Sequence, residues 1–390
     1  MNETIFISGL YSGPSPSAGL GVARSLRAAF PSSRLIGVDY WPGSSGLHHE
    51  VFDATWLKPP WDLIEEELYA KEVRAELDRD AFWIATLDLE VAWLARTLAP
   101  HPRLLTPSET ALVTTLKPQP SVAGLLPLEM APSLDLSAPD EAIHAFCRAH
   151  SWRVWIKGPY HDAVAVGDWR HLEEVRARMK DGWQTDRVSV QAHVRGYEES
   201  VCLAAFDGRL ADAIYMRKRI TTPDGKTWAG HVGEVPADLL GSIEAAVRAI
   251  GWTGGAEIEL LRDIDGGLWL LEWNPRFPAW VHGATLAGRN LPAALVRRAP
   301  VSDPLIVAGP VTRNNALELC PVRLAEVVMP ALLVPSQLRI GQRDAERLGL
   351  RHAHVHETLP QVVVGVPLDP PAHRLLGVGR LGVRRPEHHQ

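Results

Sequence analysis

Along the chain, apolar stretches alternate between the two-residue period of strands and the longer period of helices, separated by loops rich in glycine and proline. "TIFISG" reads as a strand, "LYSGPSPSAGLG" as a glycine-rich loop, "VARSLRAAF" as a helix and "RLIGVDY" as a second strand. A strand–helix–strand order implies a parallel sheet, because parallel neighbours need a long crossover. "DAFWIATLDLEVAWLARTLAP" adds a strand and a helix, and "RLLTPS" a further strand with a turn. Residues 1–108 are therefore expected to form a small α/β domain.

Beyond it, "SETALVTTLK" and "APDEAIHAFCRAH" read as helices, "RVWIKGPY" as a strand and "DWRHLEEVRARMK" as an amphipathic helix. "VSVQAHV", "ESVCLAAFDGRL" and "ADAIYMRKRI" follow as strands, with turn signals at "DG" and "PDGK". "PADLLGSIEAAVRAIGW" is a helix, and "GGAEIELLRDIDGGLWLLEWNPRF" is two strands joined as a hairpin at "DIDGG". "ATLAGRNLPAALVRRA" is expected as one closing helix. Residues 301–390 suggest short strands and Pro-rich connections, either a small β-rich extension or a tail packed on the body.

One stretch breaks the apolar pattern. In "LWLLEWNPRFPAW", Leu268, Leu270 and Leu271 read as core, yet Glu272, Asn274 and Arg276 follow at two-residue spacing. Alternate side chains of a strand share a face, so an acid, an amide and a guanidinium would line up beside the core. Across the hairpin, Glu259 can join Glu272 and Asn274 on that face. Three oxygen donors suit Mg2+, a hard cation that shares its shell with phosphates. Arg276 could hold a phosphoryl or carboxylate oxygen. The bland alternative is a buried Glu–Arg pair with Asn satisfying a loop; the stretch alone weighs the two equally.

Composition narrows the partners. The chain has 390 residues, 46% of them hydrophobic and 22% charged, with a formal charge of −6. Its length suits two or three domains, and its charge offers no footprint for nucleic acid or an anionic membrane. Cys147, Cys202 and Cys320 form no CxxC pair, the usage of a reducing compartment. No apolar run is long enough to span a bilayer and the opening residues lack a basic n-region, so a cytoplasmic protein is expected. Fourteen tryptophans, scattered through apolar patterns, read as core or pocket wall. The glycine loop does not keep GxGxxG spacing and is expected to be structural or substrate-contacting. "GLHHE" at 46–50 puts two histidines side by side on a loop, a poor start for a metal site.

"LWLLEWNPRF" resembles the E-x-N-P-R strand of the ATP-grasp superfamily, and the resemblance extends in order over about residues 105–295. It implies an ATP-grasp fold of mixed α/β and α+β class. The expected division is a pre-ATP-grasp domain at 1–108, a first subdomain at 109–188, a second subdomain with the metal site at 189–300 and the C-terminal extension at 301–390. It also implies roles. Lys157 in "RVWIKGPY" would contact the nucleotide phosphates, and Lys117 is a second phosphate-binding lysine. Gln191, Ala192, His193 and Val194 would meet the adenine edge largely through backbone groups, and Glu198, in the G-x-E position, the ribose hydroxyls. Glu259, Glu272 and Asn274 would hold Mg2+, for which Mn2+ can substitute.

Of "YMRKRI", Arg217 and Arg219 share one face and Lys218 the other. Lys218 and Arg219 are the members expected to join Arg276 in neutralising the γ-phosphate or holding a substrate carboxylate. His231 and Glu234 in "HVGE" read as loop residues. One departure stands out: where the family has a glycine-rich lid, this chain has "GPYHDAVAVGDW", with His161 and Asp162. The implied activity is an ADP-forming ligase that joins a small carboxylate, through an acyl phosphate, to an amine, with amino acids or a peptide among the candidate substrates and a homodimer as a candidate assembly. A biotin-carboxylase-like carboxylating enzyme, a small-molecule phosphotransferase and a non-catalytic nucleotide-binding scaffold are the competing readings.

Overall fold

The computed structural model describes residues 3–12, 16–117, 120–158, 163–183, 187–221 and 227–298, with the backbone of 309–312. Most of the C-terminal extension, Cys320 included, lies outside the described residues, as do His161 and Asp162 of the expected lid.

The N-terminal part is β1 (Thr4–Ser8), α1 (Ala18–Ala29), β2 (Arg34–Asp39), β3 (Ala54–Leu57), α2 (Glu66–Leu77), β4 (Phe82–Ile84) and α3 (Asp88–Thr97). Its four strands run parallel in the order β3-β2-β1-β4. The reading from sequence passed over β3 and α2. The first is a short edge strand with no buried residue, while α2 buries only Tyr69, Val73 and Leu77, one narrow stripe at four-residue spacing. "RLLTPS" is not a strand: Leu104 N–H turns back to His101 O, and only an isolated bridge to Trp83 remains.

The middle part contains α4 (Glu109–Thr115), β5 (Glu129–Met130), β6 (Ser133–Asp135), α5 (Asp140–Ala149), β7 (Val154–Lys157), β8 (Ala163–Val166), α6 (Trp169–Trp183) and β9 (Ser189–Ala192). Strands β6, β9, β7 and β8 form a small antiparallel sheet. Ile143, Cys147, Leu172, Val175 and Met179 of α5 and α6 cluster with Val154, Ile156, Val188 and Val190. Strand β9, placed from sequence at the start of the next subdomain, is thus an interior strand of this sheet.

The third part is built on long antiparallel strands: β10 (Gly196–Phe206), β11 (Arg209–Thr221), β12 (Thr227–Gly233), then α7 (Ala237–Ile250), β13 (Gly254–Asp263), β14 (Leu268–Asn274), α8 (Val281–Leu286), α9 (Leu291–Arg297) and β15 (Gly309–Thr312). With β5 they make a seven-stranded sheet ordered β15-β12-β11-β10-β13-β14-β5. Asp207 and Gly208, both at positive φ, form the β10–β11 turn, as "DG" signals. His231, read as a loop residue, lies on β12. The segment expected as one closing helix holds two: α8 stops before Gly288 at φ 98°, and Asn290 caps α9 by accepting from Ala293 N–H.

One face of this sheet packs Val201, Leu203, Ile258, Leu260, Leu270 and Trp273 against α7. The other gathers Cys202, Ala204, Ile214 and Met216 with α1, α8 and α9. The functional side chains gather at one end of this second face.

Candidate active site

The puzzle of acids following core leucines at the same parity is solved by a β-bulge. In the β13–β14 ladder Glu259 pairs with Glu272, but Leu260 pairs with Leu270, so Leu271 is an extra residue on β14. A bulge re-aims every side chain beyond it. Leu270 and Trp273 therefore both face the α7 core, while Glu272 and Asn274 turn to the opposite face, towards α1 and α8. Beyond the strand, the Phe277 ring lies over Gly255, where a Cβ would come within 2.6 Å of it, and this anchors the backbone that carries Arg276.

On that face the expected residues converge. Asn274 Nδ2 donates to Glu259 Oε1 at 3.2 Å and to Glu272 Oε1 at 3.1 Å. Lys218, buried on β11, donates to Glu198 Oε2 at 2.6 Å and to Glu259 Oε2 at 2.8 Å. Lys117 Nζ lies 3.4 Å from Glu272 Oε2, and Lys157, at the end of β7, contributes its charge to the same carboxylate. Arg276 Nε lies 3.1 Å from Asp88 Oδ1, and its Nη1 4.0 Å from Glu257 Oε2.

Electrostatics follow from this crowding. Burial opposes ionisation of Glu272, but Lys117, Lys157 and the Asn274 hydrogen bond outweigh it and hold the carboxyl down at about 2. Burial likewise works against charge on Lys218, and Glu259 and Glu198 overcome it, so the ammonium is held above its ordinary range. Glu257 goes the other way. Burial and the neighbouring Glu259 push it up to about 7, against Lys218, Arg276 and a hydrogen bond from Trp280 Nε1.

Other expected residues sit at the margins. Arg219 is exposed beside an irregularity in the β11–β12 register, and its Nε lies 2.8 Å from His231 Nδ1. Arg217, on the face opposite Lys218, lies over the Tyr197 ring at 3.8 Å. Gln191 Nε2 donates to Ser133 Oγ, and the backbone N–H groups of Ala192 and His193 donate to Pro132 O and Arg153 O.

Glu257, Asp88, Trp280 and Arg187 were not foreseen. Glu257 had a signal, the E-I-E alternation with Glu259. Asp88 begins α3 in the N-terminal domain and lies between Arg276 and, at 3.9 Å, Lys117. Arg187 donates to Lys117 O and, with Lys117, Asp135 and Ser189, lines a cleft of about 530 Å³.

No family model matches this chain, and no curated protein matches it in sequence. Solved structures do. Biotin carboxylase from Campylobacter jejuni in complex with β,γ-ATP aligns with TM-score 0.58 at 14% identity, over 78% of this chain and 72% of that one. N5-carboxyaminoimidazole synthetase from Staphylococcus aureus gives 0.57 at 12%, over 77% and 80%. An L-amino acid ligase from Bacillus licheniformis gives 0.53 at 16%, over 76% and 74%. The chain has the ATP-grasp fold. Its core brings a lysine of the small sheet, Lys157, to bear on Glu272 of the large one.

Whether a divalent cation suits this cluster can be judged from the donors. Among the described residues no three His, Cys, Asp or Glu side chains form a metal-holding group by themselves. Two carboxylates joined through an amide do converge, and Asn274 Oδ1 is buried with no hydrogen-bond partner among the described residues. A buried acceptor left unpaired is costly, and hard oxygen donors are what Mg2+ prefers. The residues fit.

Proposed function

We propose that this chain is an ATP-dependent carboxylate–amine ligase that works through an acyl phosphate and releases ADP and phosphate. The observation that carries this reading is the convergence of Glu259, Glu272 and Asn274 within a ring of lysines. A divalent cation held by these three, Mg2+ or Mn2+, would shield the phosphate oxygens from the acids around them. Lys117 and Lys157 would then exchange carboxylate contacts for the nucleotide phosphates. Glu198 gives one oxygen to Lys218 and keeps the other for the ribose, while the carbonyl groups of Gln191–Val194 and the Val194 N–H meet the adenine edge.

In the reaction, an oxygen of the substrate carboxylate attacks the γ-phosphorus and the bond to ADP breaks. The amine then attacks the acyl carbon and phosphate leaves with the electron pair of the acyl–oxygen bond. Positioning and charge neutralisation carry most of such catalysis. Arg276, oriented by Asp88, would steady the transferring group, with Lys218 holding the acids in place and Arg219 at the rim receiving a substrate carboxylate. The substrates would be small acids and amines, amino acids or a peptide among them. We place the enzyme in the cytoplasm, as a homodimer; among the described residues no helix is long and apolar enough to cross a membrane.

A second reading has bicarbonate as the acid. It is favoured by the similarity to biotin carboxylase and N5-carboxyaminoimidazole synthetase. One experiment addresses both: ADP release is screened over pairs of acids and amines, with and without bicarbonate, and hydroxylamine then replaces the amine. A hydroxamate formed with ADP supports the ligase, and bicarbonate dependence supports the carboxylating reading. AMP and pyrophosphate would overturn the acyl phosphate, and phosphate retained on the product would make the protein a kinase.

A further inference from the structure

The cleft beside Lys117, about 530 Å³, has the size of a small-molecule site. Val113, Leu116 and Lys117, from α4 and the residues that end it, form one wall. Asp135, Arg187 and Ser189, from the small sheet and the approach to β9, form the other. Lys117 joins this cleft to the carboxylate cluster, with its Nζ 3.4 Å from Glu272 Oε2 and 3.9 Å from Asp88 Oδ2.

Register sets the direction of Ser189. It pairs with Lys157 across β7 and β9 and with Asp135 across β6 and β9. Directly opposed residues of an antiparallel pair share a face. The other parity, Leu136, Ile156, Val188 and Val190, packs with α5 and α6. Ser189 and Lys157 therefore share the face turned away from those helices, and from it Lys157 acts on Glu272. Ser189 is 3% exposed, and its Oγ has no hydrogen-bond partner among the described residues. Leaving a buried hydroxyl in that condition is costly. Arg187, exposed and two residues upstream, donates to Lys117 O, which holds its guanidinium across the cleft. An ammonium, a guanidinium and a hydroxyl thus line one cavity. Asp135 is the opposing charge in this lining; it is exposed, and its Oδ1 already accepts from Ser137 N–H at 2.7 Å.

We propose that Arg187 and Ser189 bind the terminal phosphate of a nucleoside triphosphate, so that this cleft selects a triphosphate over a diphosphate. Strand β9 runs from Ser189 towards Gln191–Val194, which meet the base in the ligase reading. The phosphates then lie towards the start of β9, where Lys157, Ser189 and Arg187 stand. Lys117 divides its charge between Glu272 and Asp88, whereas a planar guanidinium can engage two oxygens of one phosphate. The assignment rests on the ligase reading and adds to it the residues that recognise the group to be transferred.

The test is calorimetry of the full chain in Mg2+ with ADP and with the non-hydrolysable β,γ-imido analogue of ATP. Arg187→Gln is expected to weaken the triphosphate by about tenfold and to leave ADP within about twofold, the scale of one charge-assisted contact. Arg187→Lys should keep part of the preference, because the charge stays while the fork is lost. Ser189→Ala should move the same ratio less, since it removes a neutral donor. Thermal midpoints of the Arg187 variants, an exposed position, should stay near native. Equal weakening of both nucleotides by Arg187→Gln would show that Arg187 only holds Lys117 in place, and would overturn the assignment. An unchanged triphosphate affinity would overturn it too, while nucleotide binding itself leaves the ligase reading standing. A native chain that binds neither nucleotide would overturn both.

Discussion

Glu198 and Glu199 are neighbours on β10 and point to opposite faces of one sheet, and their surroundings differ in kind. Glu199, 2% exposed, has one cation to itself: Arg262 Nε and Nη2 donate to its two oxygens at 2.9 and 3.0 Å, with Tyr215 beside them. That pair closes on itself. Glu198 shares Lys218 with Glu259, just as Lys117 lies between Glu272 and Asp88, and Arg276 between Asp88 and Glu257. Shared cations leave acids partly unsatisfied, and a buried charge cluster of that sort is expensive to hold unless a ligand completes it. A closed pair is architecture; an open one is a candidate site.

The largest expected effect falls on the closed side. Glu199→Ala should cost about 2 kcal/mol of folding stability, since hydrogen bonds to charged groups are lost, read as a lower denaturation midpoint. Nucleotide turnover per folded molecule should hardly change. Glu272→Gln should differ in kind: beside the stability lost with a carboxylate that Lys117 and Lys157 hold ionised, metal-dependent turnover per folded molecule should fall by at least about tenfold, roughly 1.4 kcal/mol of transition-state stabilisation. If turnover per folded molecule fell equally in both variants, the distinction between the two faces would be lost.

A subtler contrast lies within the open side. Lys157→Ala should weaken ATP more than adenosine, by about fivefold, close to 1 kcal/mol, because only ATP has the phosphates. Glu198→Ala should weaken both alike, because the ribose is common. Calorimetry with the two ligands checks this, and the opposite pattern would mean that the ends of the nucleotide are exchanged.

Much of this was legible in the sequence, and the failures have physical causes. The period-two run Glu272, Asn274, Arg276 pointed to the candidate site, because polar residues on a core strand demand a reason. Its parity was misleading: the bulge at Leu271, which carries these side chains away from Leu270, leaves no mark in composition. Asp88 was illegible for another reason. It reaches Arg276 from a different domain, and no spacing rule spans that distance. Glu257 was simply passed over beside Glu259. The break between α8 and α9 was signalled by Gly288 and Asn290, but the apolar period running through them masked it.

A third buried acid acts through pH. Glu90 is fully buried in the N-terminal domain, where Trp83 Nε1 donates to it at 3.0 Å, and its pKa is pushed up to about 7, chiefly by burial, with the neighbouring polar groups of Ser8, Trp83 and Tyr40 acting against it. A raised folded value means that the folded protein keeps a proton the unfolded chain gives up. Its contribution to stability is full below the ordinary carboxyl value of 4.5 and is lost as pH rises through about 7. Thermal midpoints of the native protein should therefore fall across that window more than those of Glu90→Gln. Parallel curves would show that Glu90 does not titrate there.

The most direct measurement is a titration with ADP, with and without Mg2+, of the native chain and of Glu272→Gln. The open carboxylate cluster, if it holds a metal–nucleotide pair, predicts that Mg2+ tightens ADP binding to the native protein, and that Glu272→Gln loses this gain while still binding metal-free ADP. A native chain that ignores ADP, or binds it equally well without the metal, would contradict the assignment of Glu259, Glu272 and Asn274.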